Sequence, residues 1–279
     1  MKLLKNAPKL WLKKFPWKKK SSNKYSRGRV LILGGQNSMI GATILAAAAC
    51  LRVGVGPVKI ICTKETLPIL SQKFPSALKV EINNISFLKS FLRKERKTTN
   101  VALVGPGAGK NSKTMKFTEE ILKQIKYVIL DADSLNSFQK KTKKLLKYLD
   151  KNKLITPHQA QYHRLFPSIK TSLSNREKVL KFLKICKSNI LLKGNTTVIG
   201  SQDKIIINKH TSSELAVIGS GDVLVGIITS LVGDKKMSLN QAACAATWIH
   251  GDVAKHHGRG LISEDLVKGI PAALQRLNK

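Results

Sequence analysis

Apolar residues along this chain fall into two kinds of run. The first kind is short and almost unbroken: Val30–Leu33, Val58–Cys62, Val101–Val104, Tyr127–Leu130, Leu154–Ile155 and Ile190–Leu192. A strand that is apolar on both faces must be covered on both faces, which is the condition of a parallel sheet. The second kind is longer and mixes apolar with charged positions in the manner of surface helices: Gly41–Leu51, Ser86–Arg96, Lys113–Lys126, Lys140–Lys151 and Ser174–Lys187. Strands and helices alternating in this way predict an α/β fold with a mostly parallel central sheet. Ligands of such sheets sit at the carboxyl ends of the strands. The turns that follow the apolar blocks are therefore the expected places for chemistry.

The pattern begins at Arg29 and continues without a linker, low-complexity tract or repeat, so one domain over residues 26–279 is expected. Residues 1–25 read as a basic, linker-like tail. This stretch is rich in lysine, holds Pro8 and Pro16 and ends in Ser21-Ser22-Asn23-Lys24, with Trp11, Phe15 and Trp17 as docking points. It has no unbroken apolar core of the kind a secretory signal needs. The longest apolar candidate, Leu215–Gly233, is interrupted by Ser220 and Asp222, and no membrane-spanning helix is expected from it. Cys50, Cys62, Cys186 and Cys244 form no CxxC pair and read as small buried hydrophobes of a reducing compartment. A cytoplasmic protein without a membrane partner is the expectation.

The formal net charge of +34 raises the question of polyanionic partners. The basic residues are spread over the whole chain, however, many of them on presumed helix surfaces such as Lys140–Lys151. There is no RNP-type motif and no zinc finger, and aromatic residues make up only 5%. The balance favours a solvated lysine-rich surface, with any nucleic-acid binding non-specific.

The turns carry five segments of interest. Gly34 to Ala42 opens a helix with glycines but lacks the G-x-G-x-x-G spacing of a dinucleotide fingerprint. In Gly105-Pro106-Gly107-Ala108-Gly109-Lys110-Asn111 the last glycine-lysine pair invites a phosphate-loop reading, which fails because Val104 stands at the first glycine position and Asn111 replaces Ser/Thr. Asp131 and Asp133 place two carboxylates at the end of an apolar strand, where they are costly unless paired or facing a cation; hydrated Mg²⁺ is one partner, and capping of the next helix by Asp133 is the plainer use. His158 in Thr156-Pro157-His158 is either displayed to a ligand or a surface residue. Lys193-Gly194-Asn195-Thr196-Thr197 suits phosphate contact or a hairpin turn with a solvated lysine.

The most pointed segment is Gly219-Ser220-Gly221-Asp222-Val223-Leu224, followed by the apolar run Val225–Leu231. Glycines at a helix start leave free backbone amides, and Gly219, Ser220 and Gly221 form a candidate anion hole. An acid at that place opposes phosphate unless it does chemistry. As a general base Asp222 takes a proton from a substrate hydroxyl while the hole holds a transferring phosphoryl group. The plainer reading is a first-turn acid complementing the helix dipole.

Eight segments stand in one order along the chain: GGQNSMIGATILAAAACLRVGVGPV, VGPGAGKN, LDADSLN, LITPHQAQYHRLFP, LLKGNTTVI, GSGDVLVGIITSL, WIHGDVA and GLISEDLVKGIPAAL. In that order and spacing they resemble the NAD(P)H-hydrate dehydratases of the ribokinase-like superfamily, from about residue 24 to the C-terminus; GSGDVL alone would say only ribokinase-like. The resemblance implies a ribokinase-like three-layer α/β/α fold. It implies that Ala42, Gly107 and His158 contact the hydrated dinucleotide, that Lys193, Gly194, Asn195, Thr196, Thr197 and Gly221 hold the adenine nucleotide, and that Asp222 meets the substrate hydroxyl. The chain departs from the family pattern after TPH, where Ala160-Gln161 replaces the usual Gly-Glu pair; this puts in doubt any polar or metal contact the carboxylate makes in relatives.

The implied activity is repair of (S)-NADH hydrate and (S)-NADPH hydrate, driven by ADP or ATP with Mg²⁺. ADP is the expected donor. A homo-oligomer is implied, as is an epimerase encoded separately, because many members carry that domain fused and residues 6–28 resemble the linker that joins it. Two other readings stay open. A vitamin-precursor hydroxymethyl kinase would share GSGD but lack the GPGAGKN and TPH segments together. A non-catalytic basic protein binding nucleotides or RNA would account for the charge and for Ala160-Gln161.

Overall fold

A computed structural model of the chain describes residues 1–35 and 37–278; Gln36, in the first glycine segment, lies outside them. Ten strands form one sheet in the order β1-β10-β9-β8-β7-β6-β5-β2-β3-β4. They are β1 (Lys2–Lys5), β2 (Val30–Leu33), β3 (Val58–Cys62), β4 (Leu78–Glu81), β5 (Val101–Val104), β6 (Tyr127–Leu130), β7 (Lys153–Ile155), β8 (Asn189–Leu192), β9 (Thr197–Gly200) and β10 (Lys204–Asn208). Only β9 runs antiparallel to its neighbours, β8 and β10. The apolar blocks predicted as strands are strands, and β2, β5 and β8 are buried along their whole length.

Alternate strand residues feed two cores. Val30 and Ile32 face one, and Leu31 and Leu33 the other. The first core is covered by α1 (Ile40–Val53), α9 (Ser220–Gly233), α10 (Leu239–His257) and α11 (Ser263–Leu277), with α2 (Leu67–Lys73) at its margin. The second lies beneath α3 (Ile85–Glu95), α4 (Ser112–Gln124), the short α5 (Asp133–Asn136) and α6 (Thr142–Leu146), α7 (Gln159–Leu165) and α8 (Asn175–Ile185). α9 is apolar all round because it is enclosed all round: every residue from Val223 to Gly233 is buried. Its Gly226 has no room for a side chain, since a Cβ there would lie 2.2 Å from Ala46 O of α1. The stretch Lys140–Lys151, expected to be one helix, is not. Only Thr142–Leu146 is helical, and Lys140 precedes it at φ 63°.

The expected boundary at residue 26 needs correcting. The N-terminal stretch read as a tail supplies β1, which pairs in parallel with β10 from Lys2↔Lys204 to Lys5↔Ile207. Trp11 is 1% exposed and Phe15 is buried beside it. The Asn6 side chain, also buried, donates to Asn208 Oδ1 at 2.8 Å, Cys244 O at 2.8 Å and Thr247 Oγ1 at 3.3 Å, and accepts from Trp11 Nε1 at 3.1 Å. The physical reason is that the outer edge of β10 needs backbone partners and the α10 surface needs cover; the aromatic residues supply the cover.

Candidate active site

The carboxyl ends of β6, β7 and β8 bring together groups far apart in sequence. Asp131 follows β6 and is 2% exposed. Its Oδ1 accepts from Lys193 Nζ at 2.7 Å and from Thr156 Oγ1 at 2.7 Å. Lys193 stands in the turn between β8 and β9, so the turn is a hairpin while its lysine is ion-paired rather than solvated. Asp133, at the first position of α5, accepts from the Gly109 amide at 2.9 Å and from Asn136 Nδ2 at 3.2 Å. It pins the glycine-rich turn against the strand end. Between the two acids Ala132 is held at φ 48°, a costly conformation for alanine, and Gln161 Nε2 donates to its carbonyl at 3.3 Å.

Gln161 thus gives the departure from the family pattern a structural role. It is buried, its Oε1 accepts from the His158 amide at 3.2 Å, and its own amide donates to His158 Nδ1 at 3.4 Å, a reciprocal cap at the start of α7. A glutamate could accept from His158 but could not donate to Ala132. His158 itself is exposed. Its pKa is lowered, chiefly by the withdrawal of part of the ring from water and then by Lys193 and Arg164.

The glycine turns need their glycines. A Cβ on Gly105, at φ 127°, would lie 1.8 Å from Asp131 O, and one on Gly107, at φ 64°, would lie 2.2 Å from Met39 O. Thr43 Oγ1 donates to Pro106 O at 2.8 Å, so the start of α1, with Ala42 on its first turn, is fastened to this turn. Lys110 reaches Gln139 at 2.7 Å and Asn111 caps α4, in keeping with the rejected phosphate-loop reading.

At the start of α9, Gly219 occupies the cap at φ 88°. The Asp222 amide donates to Gly219 O and the Ser220 amide to Val217 O, while the Gly221 amide has no backbone acceptor among the described residues. His250 Nε2, from α10, donates to Ser220 O at 3.0 Å and lies 3.2 Å from Ser220 Oγ. Burial holds the His250 pKa down at about 4, so its ring is neutral. Asp222 is half-buried, and its pKa is pushed up to about 7, first by burial and then by the negative charge of Asp131, with Asp133 adding and Lys193 opposing.

A cavity of about 660 Å³ opens beside this helix start. Of the residues singled out from the sequence, His158, Lys193, Gly194, Asn195, Thr197, Ser220 and Gly221 border it. Thr196 instead borders a neighbouring groove, and its carbonyl accepts from Asn175 Nδ2 at 2.7 Å. Ala42, Gly107, Gly219 and Asp222 are not in the cavity wall; Ala42 and Gly107 lie on the two segments that Thr43 and Pro106 fasten together, and Asp222 follows the wall residues Ser220 and Gly221. Asn208, residues 211–213 and 215–217, Leu224, Thr247 and His250 complete the wall. His250 lies within the WIHGDVA segment, but nothing local to that segment says that it reaches Ser220. Among the described residues no group of three or more His, Cys, Asp or Glu is placed to hold a metal ion, and no helix is long and apolar enough to cross a membrane.

The model of the NAD(P)H-hydrate dehydratase family matches residues 30–271. An ADP-dependent (S)-NAD(P)H-hydrate dehydratase of Neisseria meningitidis is 32% identical over 86% of this chain and 80% of its own length. Among solved structures, a ribokinase-like superfamily protein of Enterococcus faecalis superposes with a TM-score of 0.86 at 20% identity, covering 99% of this chain and 96% of the other. An ADP/ATP-dependent NAD(P)H-hydrate dehydratase of Bacillus subtilis, co-crystallised with ATP/Mg²⁺, superposes with a TM-score of 0.81 at 22% identity, covering 99% of each chain. Other curated relatives are longer, and this chain spans about half their length. The ribokinase-like architecture expected from the sequence is the one found.

Proposed function

The chain belongs to the NAD(P)H-hydrate dehydratase family, and on that premise we propose that it uses an adenine nucleotide to dehydrate the (S)-hydrates of NADH and NADPH, with Asp222 as general base. The observation that carries this reading is the placement of Asp222. It stands at the start of α9 beside the 660 Å³ cavity, with a pKa of about 7. A base of that strength is half charged at neutral pH and still basic enough to take a proton. A simple helix-start acid has no need of a withdrawn carboxyl.

The chemistry follows from the groups present. Hydroxide leaves a ring carbon poorly and phosphate leaves well. Asp222 takes the proton of the substrate hydroxyl as its oxygen attacks the terminal phosphoryl group of the nucleotide, and ADP departs as AMP, or ATP as ADP. The Gly221 amide and the start of α9 offset the charge on the phosphoryl oxygens. The lone pair of the ring nitrogen then expels phosphate, and loss of a proton from the neighbouring ring carbon restores the double bond of NAD(P)H. Lys193 would serve the nucleotide phosphates by exchanging Asp131 for them; its ion pair with Asp131 and its position on the cavity wall support this. Asn195, Thr197 and Thr196 lie on the turn that would flank the nucleotide.

Mg²⁺ fits this site as a hydrated ion carried by phosphates, not as an ion in a protein cage. Asp131 is already held by Lys193 and Thr156, and Asp133 by Gly109 and Asn136, so each would act through water. The ion would offset phosphate charge. ADP is the proposed donor, a homo-oligomer in the cytoplasm the proposed setting, and a separate epimerase the proposed source of the correct epimer. The test is incubation with NADH hydrate, Mg²⁺ and either ADP or ATP. Recovery of NADH absorbance with stoichiometric AMP from ADP is expected; no recovery with either nucleotide refutes the reading.

A further inference from the structure

At the opposite end of the sheet, where the parallel strands begin, lies a second cleft of about 820 Å³. Its walls come from the segments that lead into β5, β6, β7 and β8, from the β9–β10 turn and from the junction of α9 and α10. Arg96, Lys126, Lys151, Lys187, Lys204 and Lys235 border it, against the single carboxylate of Asp203. Among the described residues none of these six cations makes an ion pair or a side-chain hydrogen bond with the protein. The cavity beside Asp222 is bordered by one lysine, Lys193, and that one is paired. The basic composition of the chain is therefore not shared evenly between its two cavities.

We propose that this cleft is a second ligand site, one that holds the phosphate backbone of single-stranded nucleic acid. Convergence of unpaired cations on a concave surface costs like-charge repulsion that a polyanion relieves. α3, α4, α8 and α9 end at this side of the sheet, and their carboxyl ends carry about half a negative charge each, which offsets only a minority of the six cations. The capped start of α10, at Ser238, contributes in the favourable direction. Five of the six are lysines, which hold phosphates as point charges and read no base. The Asn152 side-chain amide and the Tyr127 ring, which has Lys126 Nζ over one face at 5.3 Å, are what the cleft offers to unpaired bases and inorganic polyphosphate would not use; the Gln202 amide is taken by Leu183 O and Cys186 O. A duplex calls for an element that enters its groove, whereas the cleft is concave and suits a single strand. Occupancy is sequence-independent and leaves the catalytic end of the sheet free.

The test is fluorescence anisotropy of a short labelled single-stranded RNA across a salt titration, with the full chain. Two triple variants with the same change in net charge are compared: Lys126→Glu with Lys187→Glu and Lys204→Glu in the cleft, and Lys13→Glu with Lys14→Glu and Lys18→Glu on the exposed face of the N-terminal segment. The cleft variant is expected to bind at least about tenfold more weakly, and its log K against log salt slope to fall by about 2, the value for three lost single-strand phosphate contacts. The N-terminal variant should change affinity by less than about threefold. Unchanged melting shifts on addition of ADP show that both variants are folded. Equal weakening of the two variants overturns the proposal, because binding would then follow net charge alone. Tighter binding of duplex or of inorganic polyphosphate than of the single strand also overturns it.

Discussion

Replacing Asp222 by Asn separates chemistry from structure, because the substitution preserves size and removes both the charge and the proton affinity. The wild-type carboxyl is pushed up to about 7 by burial and by Asp131. Two consequences follow. The first is kinetic. In the wild type kcat/KM should rise with pH through about 7 as Asp222 loses its proton, and in Asp222→Asn that limb should vanish together with at least about a hundredfold of turnover. The second concerns stability. Between the ordinary carboxyl value of 3.8 and about 7 the folded protein keeps a proton that the unfolded chain has released, so stability falls as pH rises across that window. The full displacement corresponds to at most about 4 kcal/mol, and partial contact with water reduces it to about 2 kcal/mol. Asp222→Asn lacks this loss. It should melt higher than the wild type at pH 8, and the gain should disappear near pH 4. Nucleotide affinity should hold or rise, since a negative charge has left the phosphate site. The assay is turnover on NADH hydrate, ADP affinity by calorimetry and melting temperature at several pH values, all on one preparation. A variant with near-wild-type turnover removes Asp222 from the mechanism; a melting curve parallel to the wild type at every pH removes the argument from burial.

Three further outcomes are expected. Lys193→Ala takes away the cation that opposes the rise of the Asp222 pKa, so the acid limb of the pH–rate profile should move above 7; leaving the buried Asp131 without its cation should cost about 3 kcal/mol, read by denaturant melts. Asn6→Ala leaves Trp11 Nε1 and Asn208 Oδ1 without their partner, which should cost about 3 kcal/mol in total and, because Asn208 and Thr247 border the nucleotide cavity, weaken ADP binding severalfold by calorimetry; an unchanged ADP affinity would confine Asn6 to stability. Gly107→Ala meets Met39 O at 2.2 Å in a left-handed conformation and should lower stability by more than about 2 kcal/mol, seen as a lower melting temperature.

The strands that carry the site were legible because each is a closed apolar run framed by helical stretches, and the rule of carboxyl ends then pointed to Asp131, His158 and Lys193; Asp222 stood out by the glycines before it at a helix start. What the chain could not disclose locally is which of these meet. Lys193 reaches Asp131 only because β7 lies between β6 and β8, with Thr156, the residue after that middle strand, as the second donor. Lys153 shows the same limit: a lysine inside a strand is explained only when its Nζ is seen donating to Ile125 O and Lys126 O at the end of α4. β9 and β10 follow one another without a helix between them, which breaks the alternation that marks the others. β1, with the sequence KLLK, has too few apolar residues to identify itself, and its register comes from β10.

The pairing of β1 with β10 also fixes an order of events during synthesis. Asn6 and Trp11 emerge early, yet their partners on β10 and α10 follow some 200 residues later. Until residue 208 and the first turns of α10 have left the ribosome, Trp11, Phe15 and Trp17 have no surface to cover, and β10 in turn has an open edge. Contacts of such long sequence separation form slowly, because the loop must close before it is rewarded. The lysines interleaved with these aromatic residues, Lys9, Lys13, Lys14 and Lys18, then have a use that the finished fold hides. Their charges favour hydration of a segment whose aromatic residues are not yet covered.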